Sequence, residues 1–419
     1  MFTTACWAES LGWMGGAVSE SCQPKGAPAP LAAAPPLPQS AALMSRTFTL
    51  LHAADLHLGR RFGSLPEELR GRLIEARHQS IARLAQAART HGAADILLAG
   101  DTFDSETPAD AIWRQALHAM ADDPALRWWI LPGNHDSLGA EALWDNLARH
   151  APANVRLLTE ARPQEIAPSV TLLPAPLPRR HAGHDLTDWM ARAPSPEGHL
   201  RLGLAHGGVQ SFSEDSRDEG IIPPDRAQTA GLAYLALGDW HGQKQIGPRT
   251  AYAGTPEFEE FRHTGRGACL AVTLTGDAPQ LTRIETGAFH WEEALLPLVP
   301  GQDAEHAFAA LLPGAGSGRR DHLLKIRATG RATLAEQQAL RAAAEAAKPD
   351  FAHFALNDAA LETEIDAADL DRLDHGGALR VAAEALAEGA ADPARSEAER
   401  RISARALNRL YAYLSGEAP

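Results

Sequence analysis

Short apolar runs along this chain end repeatedly in a small residue followed by a carboxylate, an asparagine or a histidine. From Thr47 to Ala54, β-favouring apolar residues predict a strand that stops at Asp55. Ser64, Leu65, Pro66 and Glu67 then have the spacing of a capping box with proline in the first turn. Leu69, Leu73, Ile81, Leu84 and Ala88 recur at helical spacing, which predicts a helix over 66–90. Ile96 to Ala99 reads as a buried strand ending in Gly100 and Asp101, Ala109 to Met120 as a helix, and Trp128 to Leu131 as a strand ending in Pro132, Gly133 and Asn134. Strand, helix, strand, helix, strand is a βαβ pattern and predicts an α/β (α+β) fold.

Further strands are predicted at Thr171 to Leu173, Leu200 to Ala205, Tyr234 to Leu237, Thr250 to Tyr252 and Cys269 to Thr275. Beyond about Gly287 the character changes. A strand-like stretch, His322 to Thr329, precedes an alanine-rich helix from Leu334 to Ala347, and helices are expected over Leu379 to Ala387 and Glu397 to Leu414. The expected organisation is an N-terminal extension (1–43), a main domain (44–287), a smaller α+β domain (288–365) and a helical tail (366–419).

Composition narrows the classes. The 419 residues, 45% of them hydrophobic, are enough for a large buried core. No run of 18 or more uncharged apolar residues follows the first few dozen positions, so no membrane span is expected, and the body is expected in the cytoplasm. Cys6, Cys22 and Cys269 are too few and scattered for a disulfide framework or a thiolate metal site, so any metal must be held by nitrogen and oxygen. A formal charge of -14 argues against a protein that coats polyanions generally, yet allows a local basic groove. The first 43 residues mix Gly, Ala, Ser and Pro without periodicity and lack the positive charge and apolar region of a secretory signal; disorder is expected. The string MSRTFTLLHAADLH reads as a natural start at Met44, which would make the preceding segment a dispensable extension.

Five segments carry the candidate chemistry: Asp55 and His57 in LLHAADLHLG, Asp101 in DILLAGD, Asn134 and His135 in WWILPGNHD, His206 in RLGLAHGG, and Asp239 and His241 in YLALGDWHG. A lone Gly-Asp is usually a turn and a lone histidine usually structural. Five in order, each where a strand runs out, predict convergence on one rim, because loops beyond strand ends are where α/β sheets gather ligands. Two-metal phosphoester hydrolysis needs ions roughly 3.5–4 Å apart and a shared oxygen ligand, and Asp101 is the candidate for that shared role. Asp55 and His57, two residues apart, would leave an extended backbone on the same face and grip one ion. Asn134 offers a neutral carbonyl oxygen, and His206, Asp239 and His241 complete the two shells. Arg60, Arg61 and Lys244 are candidate phosphate contacts, with Arg262 similar. Trp240 reads as a wall of the site. No G-x-x-x-x-G-K-S/T loop is present, so the chain itself is not expected to bind ATP.

HAADLHLG, AGDTFD, LPGNHD, ALGDWHG and YAGTPEF together resemble the calcineurin-like metallophosphoesterase superfamily. Within it they are similar to the DNA repair exonucleases of the SbcD/Mre11-like, YhaO-like branch, over about Thr47 to Glu259. The resemblance implies a four-layer β-sandwich flanked by helices, with a capping domain after it. It implies that Asp55, His57, Asp101 and His241 hold one divalent ion and Asp101, Asn134, His206 and Asp239 the other, with Mn2+ expected and Mg2+ or another divalent ion as the alternative. By the same resemblance His135 faces the scissile group and protonates the departing alkoxide, and Asp136 orients that imidazole. The implied activity is phosphodiester hydrolysis in DNA, as an exonuclease or endonuclease subunit in DNA repair, by attack of metal-activated hydroxide. The implied partners are DNA, an SbcC- or Rad50-like (YhaN-like) ATPase subunit docked on the tail helix, and a second copy of the chain. The open alternatives are a phosphoesterase for nucleotides or phosphoproteins and a catalytically weakened scaffold. This chain departs from the family where His-x-His is usual in the last motif and it has Asp239, Trp240 and His241; the carboxylate adds charge that favours hard ions.

Overall fold

The computed structural model describes residues 47–210, 221–276, 278–314, 316–364 and 377–414. The expected N-terminal extension and residues 366–376 and 415–419 of the expected tail lie outside the described residues. The fold is mixed α/β with two sheets and flanking helices, as the sequence predicted.

The first sheet grows from β1 (Phe48–Ala53), β2 (Asp95–Leu98), β3 (Arg127–Ile130) and β4 (Val155–Leu157), which run parallel. Its second half is β11 (Gly265–Leu274), antiparallel to β1, then β12 (Gln280–Leu298), β13 (His322–Thr333) and β14 (His353–Glu364). The second sheet has the order β5 (Gln164–Ala167), β6 (Val170–Ala175), β7 (Leu200–His206), β8 (Tyr234–Gly238), β10 (Thr250–Tyr252) and β9 (Lys244–Gly247). Strands β6, β7, β8 and β10 are parallel.

Alternation along each strand builds the layers. Leu50 and Ala54 face inward with Leu97, Trp129, Leu202 and Tyr234, which closes the space between the sheets. Leu51 and Ala53 face outward with Ile96, Trp113 and Leu143, against helices α1 (Glu67–Thr90), α2 (Asp110–Ala121) and α3 (Glu141–His150). The outer face of the second sheet is covered by Met190, Ala227 and Leu232. A strand buried on both faces must be apolar throughout, which is why these runs show no polar alternation.

Helix α1 begins as expected but without its cap. Pro66, at φ -56 and ψ 147, occupies the N-cap position and no side chain accepts from the first turn, so the Ser64/Glu67 capping box does not form. The boundary expected at Gly287 falls inside β12, which pairs β11 through Gly265↔Trp291 and β13 from His290↔His322 onward. One strand therefore serves both parts of the chain. The C-terminal part has its own core of Leu298, Phe308, Ile326, Leu340 and Phe354.

Candidate metal centre

The five segments meet at the carboxyl ends of both sheets. The first sheet supplies Asp55, His57, Asp101, Asn134 and His135, and the second supplies His206, Asp239 and His241. Backbone bonds knit the loops: the Asp55 N–H donates to the Gly100 carbonyl at 3.1 Å and the His57 N–H to the Asp101 carbonyl at 2.9 Å. Asp55 and His57 are not extended as expected. Their φ angles are 55° and 42°, those of Asp101 and Asp239 are 51° and 106°, and such left-handed backbone in non-glycine residues is uncommon and costs about 1–3 kcal/mol each. The turn, not strand alternation, aims these side chains. Gly100, at φ +90, leaves room for a ligand: a β-carbon there would lie 2.2 Å from His206 Nδ1.

One carboxylate oxygen sits between the two halves of the site. Asp101 Oδ2 lies 3.7 Å from His57 Nε2 and 3.6 Å from His206 Nε2, the placement a shared ligand requires. Asp55, His57 and His241 gather on one side, and Asp55, Asp101 and His206 on the other, with ligand atoms in each group within 4.8 Å of one another. Asn134 Oδ1 is 3.1 Å from His206 Nε2, and Asp239 Oδ1 is 3.8 Å from the same nitrogen. The Asp239 N–H points at both carboxylate oxygens of Asp55, 3.2 Å away.

The imidazole tautomers test whether these residues fit a cation. His206 Nδ1 is 2.8 Å from the Ala99 carbonyl, which can only accept, so Nδ1 carries hydrogen and Nε2 turns to the carboxylates. His241 Nδ1 faces Glu259 Oε1 at 3.2 Å, which likewise frees Nε2. That Nε2 stands 3.2 Å from His57 Nε2. Two imidazole nitrogens so placed share one positive charge between them, which a proton or a metal cation can supply. The donor set therefore fits divalent ions held by nitrogen and oxygen.

The electrostatics agree. Burial disfavours charge on His206, but Asp101, Asp55 and Asp239 outweigh it and raise its pKa to about 9. His241, equally opposed by burial, is raised to about 9 by Glu259 and Asp55. Burial raises Asp239 to about 6 and, reinforced by the Asp101 charge, Asp136 to about 7. Asp55 is also raised, chiefly by burial. This cluster of carboxylates calls for positive charge.

His135 reaches the rim beside His57, ring centroids 4.8 Å apart, with its Nδ1 2.9 Å from the Asp104 carbonyl. That carbonyl orients the imidazole. Asp136 does not: its oxygens accept from the Gly133 and Phe103 backbone N–H groups at 2.7 and 3.0 Å, so it shapes the loops that present Asp101 and Asn134. Arg60 lies at the rim, tied to Asp104 at 3.3 Å and 3.6 Å from Glu259. Arg61 is exposed, Lys244 opens β9 on the surface, and Arg262 lies 3.1 Å from Glu260. Trp240 packs partly buried against the outer face of the second sheet.

Three residues escaped the sequence reading. Asp104 Oδ1 lies 3.3 Å from His57 Nδ1. Glu259 holds His241, and Arg77, fully buried, donates to the Leu56 and Glu257 carbonyls at 2.6 and 2.9 Å and lies 3.3 Å from Glu259. The available signals were the second Asp of AGDTFD and a lone arginine on the apolar face of α1.

The calcineurin-like phosphoesterase family model matches residues 48–228. The YhaO protein of Bacillus subtilis (strain 168), described as an uncharacterized metallophosphoesterase, is 28% identical over 254 residues, 56% of this chain and 59% of that protein. The match thus spans less than two thirds of that relative's length. Similar solved structures include TT1561 of Thermus thermophilus, with TM-score 0.37 and 11% identity over 57% of this chain and 99% of that one. Purple acid phosphatase PPD1 from yellow lupin (Lupinus luteus) seeds gives TM-score 0.39 and 12% identity over 57% and 52%. Asp239 and His241 lie beyond the family match, but the fold carries them to the same rim as the candidate ligands inside it. Residues 48–228 of this chain belong to the calcineurin-like phosphoesterase family.

Proposed function

We propose that this chain is a two-metal phosphodiesterase acting on DNA. The observation that carries the hydrolase reading is Asp101 Oδ2 between His57 Nε2 and His206 Nε2, with Asp55 and His241 completing the cluster. Two divalent ions held there would supply Lewis acidity toward a phosphoester and lower the pKa of water. Asp55, His57, Asp101 and His241 would hold one, and Asp101, Asn134, His206 and Asp239 the other. Mn2+ is the proposed ion, since oxygen ligands and three aspartates favour a hard cation.

The chain's own groups do the rest. His135, its Nδ1 held by the Asp104 carbonyl, presents Nε2 to a leaving group and can protonate a departing alkoxide. Arg60 stands at the mouth, where a phosphate could take it from Asp104 and Glu259. DNA as the substrate, and an SbcC- or Rad50-like ATPase as partner, rest on the motif resemblance. Exposed Val381 and Ile402 on the helices Ala378–Ala391 and Glu397–Leu414 support a docking role for the tail.

The test compares wild type with His135→Ala on labelled linear duplex and single-stranded DNA in Mn2+. We expect wild type to cleave, and the variant to keep its metal while losing about 10²- to 10⁴-fold in rate. Full cleavage by the variant overturns the acid assignment. A wild-type protein that hydrolyses a generic phosphodiester but leaves DNA intact is a small-substrate or phosphoprotein enzyme. Fewer than two ions per chain at saturation marks a scaffold.

A further inference from the structure

A second group of ligand-type side chains lies outside the rim, on the first sheet where β12 passes from β11 to β13. His290 and Glu292, two residues apart on β12, share one face of the strand, while Trp291 between them is buried on the other. His322, the first residue of β13, is the register partner of His290. The nitrogens and one Glu292 oxygen lie within 4.8 Å of one another. Glu292 Oε2 is 3.0 Å from His322 Nε2 and 3.7 Å from His290 Nε2, and the imidazole centroids are 4.3 Å apart.

A plain ion pair accounts for this poorly. The approach of Glu292 to His322 does not have hydrogen-bond geometry, so the buried His322 Nε2 has no hydrogen-bond partner among the described residues. Both imidazoles turn Nε2 toward the same carboxylate oxygen. Bonds of about 2.0–2.1 Å in a tetrahedron set neighbouring ligand atoms about 3.3 Å apart, and the two measured separations bracket that value. Arg266, whose charge acts on both imidazoles, is engaged elsewhere: its guanidinium donates to the Gly287 carbonyl at 3.1 Å and to that of Ala288. The side chains of His290 and Glu292 are about a third exposed, which leaves a side open to water as a fourth ligand.

We propose that His290, Glu292 and His322 form a separate site for a single Zn2+ ion. Two imidazoles and one carboxylate are a ligand set suited to zinc, whereas hard Mg2+ and Ca2+ favour all-oxygen cages. The ion would fasten the start of β13 to β12 at the one strand shared by the phosphoesterase domain and the C-terminal part. The assignment is independent of the rim chemistry and of the substrate.

The experiment is elemental analysis of the metal-stripped full-length chain after equilibration with Zn2+, for wild type, His290→Ala, Glu292→Gln and His241→Ala. Wild type should hold one more equivalent than either His290→Ala or Glu292→Gln. His241→Ala, which alters only the rim, should retain that equivalent. Two partly exposed positions are used so that folding is preserved, and Zn2+ should raise the melting temperature of wild type more than that of either variant. Equal zinc content in wild type, His290→Ala and Glu292→Gln overturns the proposal, whatever happens at the rim.

Discussion

Replacing Glu259 by glutamine removes one charge from behind the metal centre without changing shape. The carboxylate is 5% exposed, receives His241 Nδ1 at 3.2 Å, and lies 3.3 Å from the buried Arg77. Burial alone would raise its pKa, but the hydrogen bond from His241 and the Arg77 charge hold it far below the usual carboxylate range. Glutamine can still accept from His241, so the tautomer survives while the imidazole becomes a weaker donor to a cation. Loss of such a supporting carboxylate typically weakens metal affinity or activity by about 10- to 100-fold. That is about 1.4–2.7 kcal/mol. With its oxygen kept for His241, the glutamine turns its NH2 toward Arg77, which keeps its two carbonyl acceptors, so folding should lose about 1–3 kcal/mol. Titration calorimetry of Mn2+ into the stripped chain, with urea unfolding alongside, separates the two effects. We expect weaker binding at the ion held by His241, and hydrolysis recovered by excess Mn2+. Unchanged Mn2+ affinity with lowered stability would make Glu259 a partner of Arg77 alone.

Gly100→Ala puts a β-carbon 2.2 Å from His206 Nδ1 at a φ of +90°, so the ring must move. We expect loss of one metal equivalent by elemental analysis; an unchanged count would show that His206 is not a required ligand. Asp239→His exchanges a hard oxygen for a borderline nitrogen and should shift preference from Mn2+ toward Zn2+ in competition titrations; unchanged selectivity would remove Asp239 from the ligands. His52, wholly buried 2.9 Å from Tyr234 Oη, has its pKa lowered by burial to about 3 from the ordinary 6.5. The unfolded chain binds the proton first, so stability is full above pH 6.5 and falls toward pH 3, by about 1.4 kcal/mol per pH unit. Between pH 6.5 and 4.5, wild type should lose about 2 kcal/mol more unfolding free energy in urea than His52→Leu, and parallel losses would refute the assignment.

The rim was legible because its candidate ligands announce themselves locally: each follows an apolar run, and all but Asp55 and His57 sit beside glycine. The strand ends show it, since β1, β2, β3, β7 and β8 were all expected from such runs. Where local chemistry was ambiguous the reading failed. Asp55 and His57 looked like strand neighbours, but their left-handed turn depends on the Gly100 and Asp101 carbonyls nearly fifty residues away in sequence. Asp136 adjoins His135 in sequence yet turns to the Gly133 and Phe103 amides. Strand β12 went unseen because Gly287, Pro297 and its charged residues break the apolar signal; pairing on both sides holds it together. Arg77 and Glu259 carry no motif at all, since their role exists only when α1 packs beneath the rim.

The division of ligands between sheets ties the centre to the fold. An ion held by Asp55, His57 and His241 would take two ligands from beyond β1 and one from beyond β8. Its neighbour would take Asp101 and Asn134 from the first sheet, and His206 and Asp239 from the second. Neither set is complete on one sheet, so the spacing of the ions follows from how Leu50, Leu97, Leu202 and Tyr234 pack between the sheets. Ion binding must therefore stabilise that packing, because the unfolded chain presents no such pair of half-sites. The left-handed backbone of Asp55, His57, Asp101 and Asp239 opposes it at about 1–3 kcal/mol each. Strain and crowded carboxylates make the stripped rim unfavourable, and cations that relieve the carboxylates hold in place the turns that gather them.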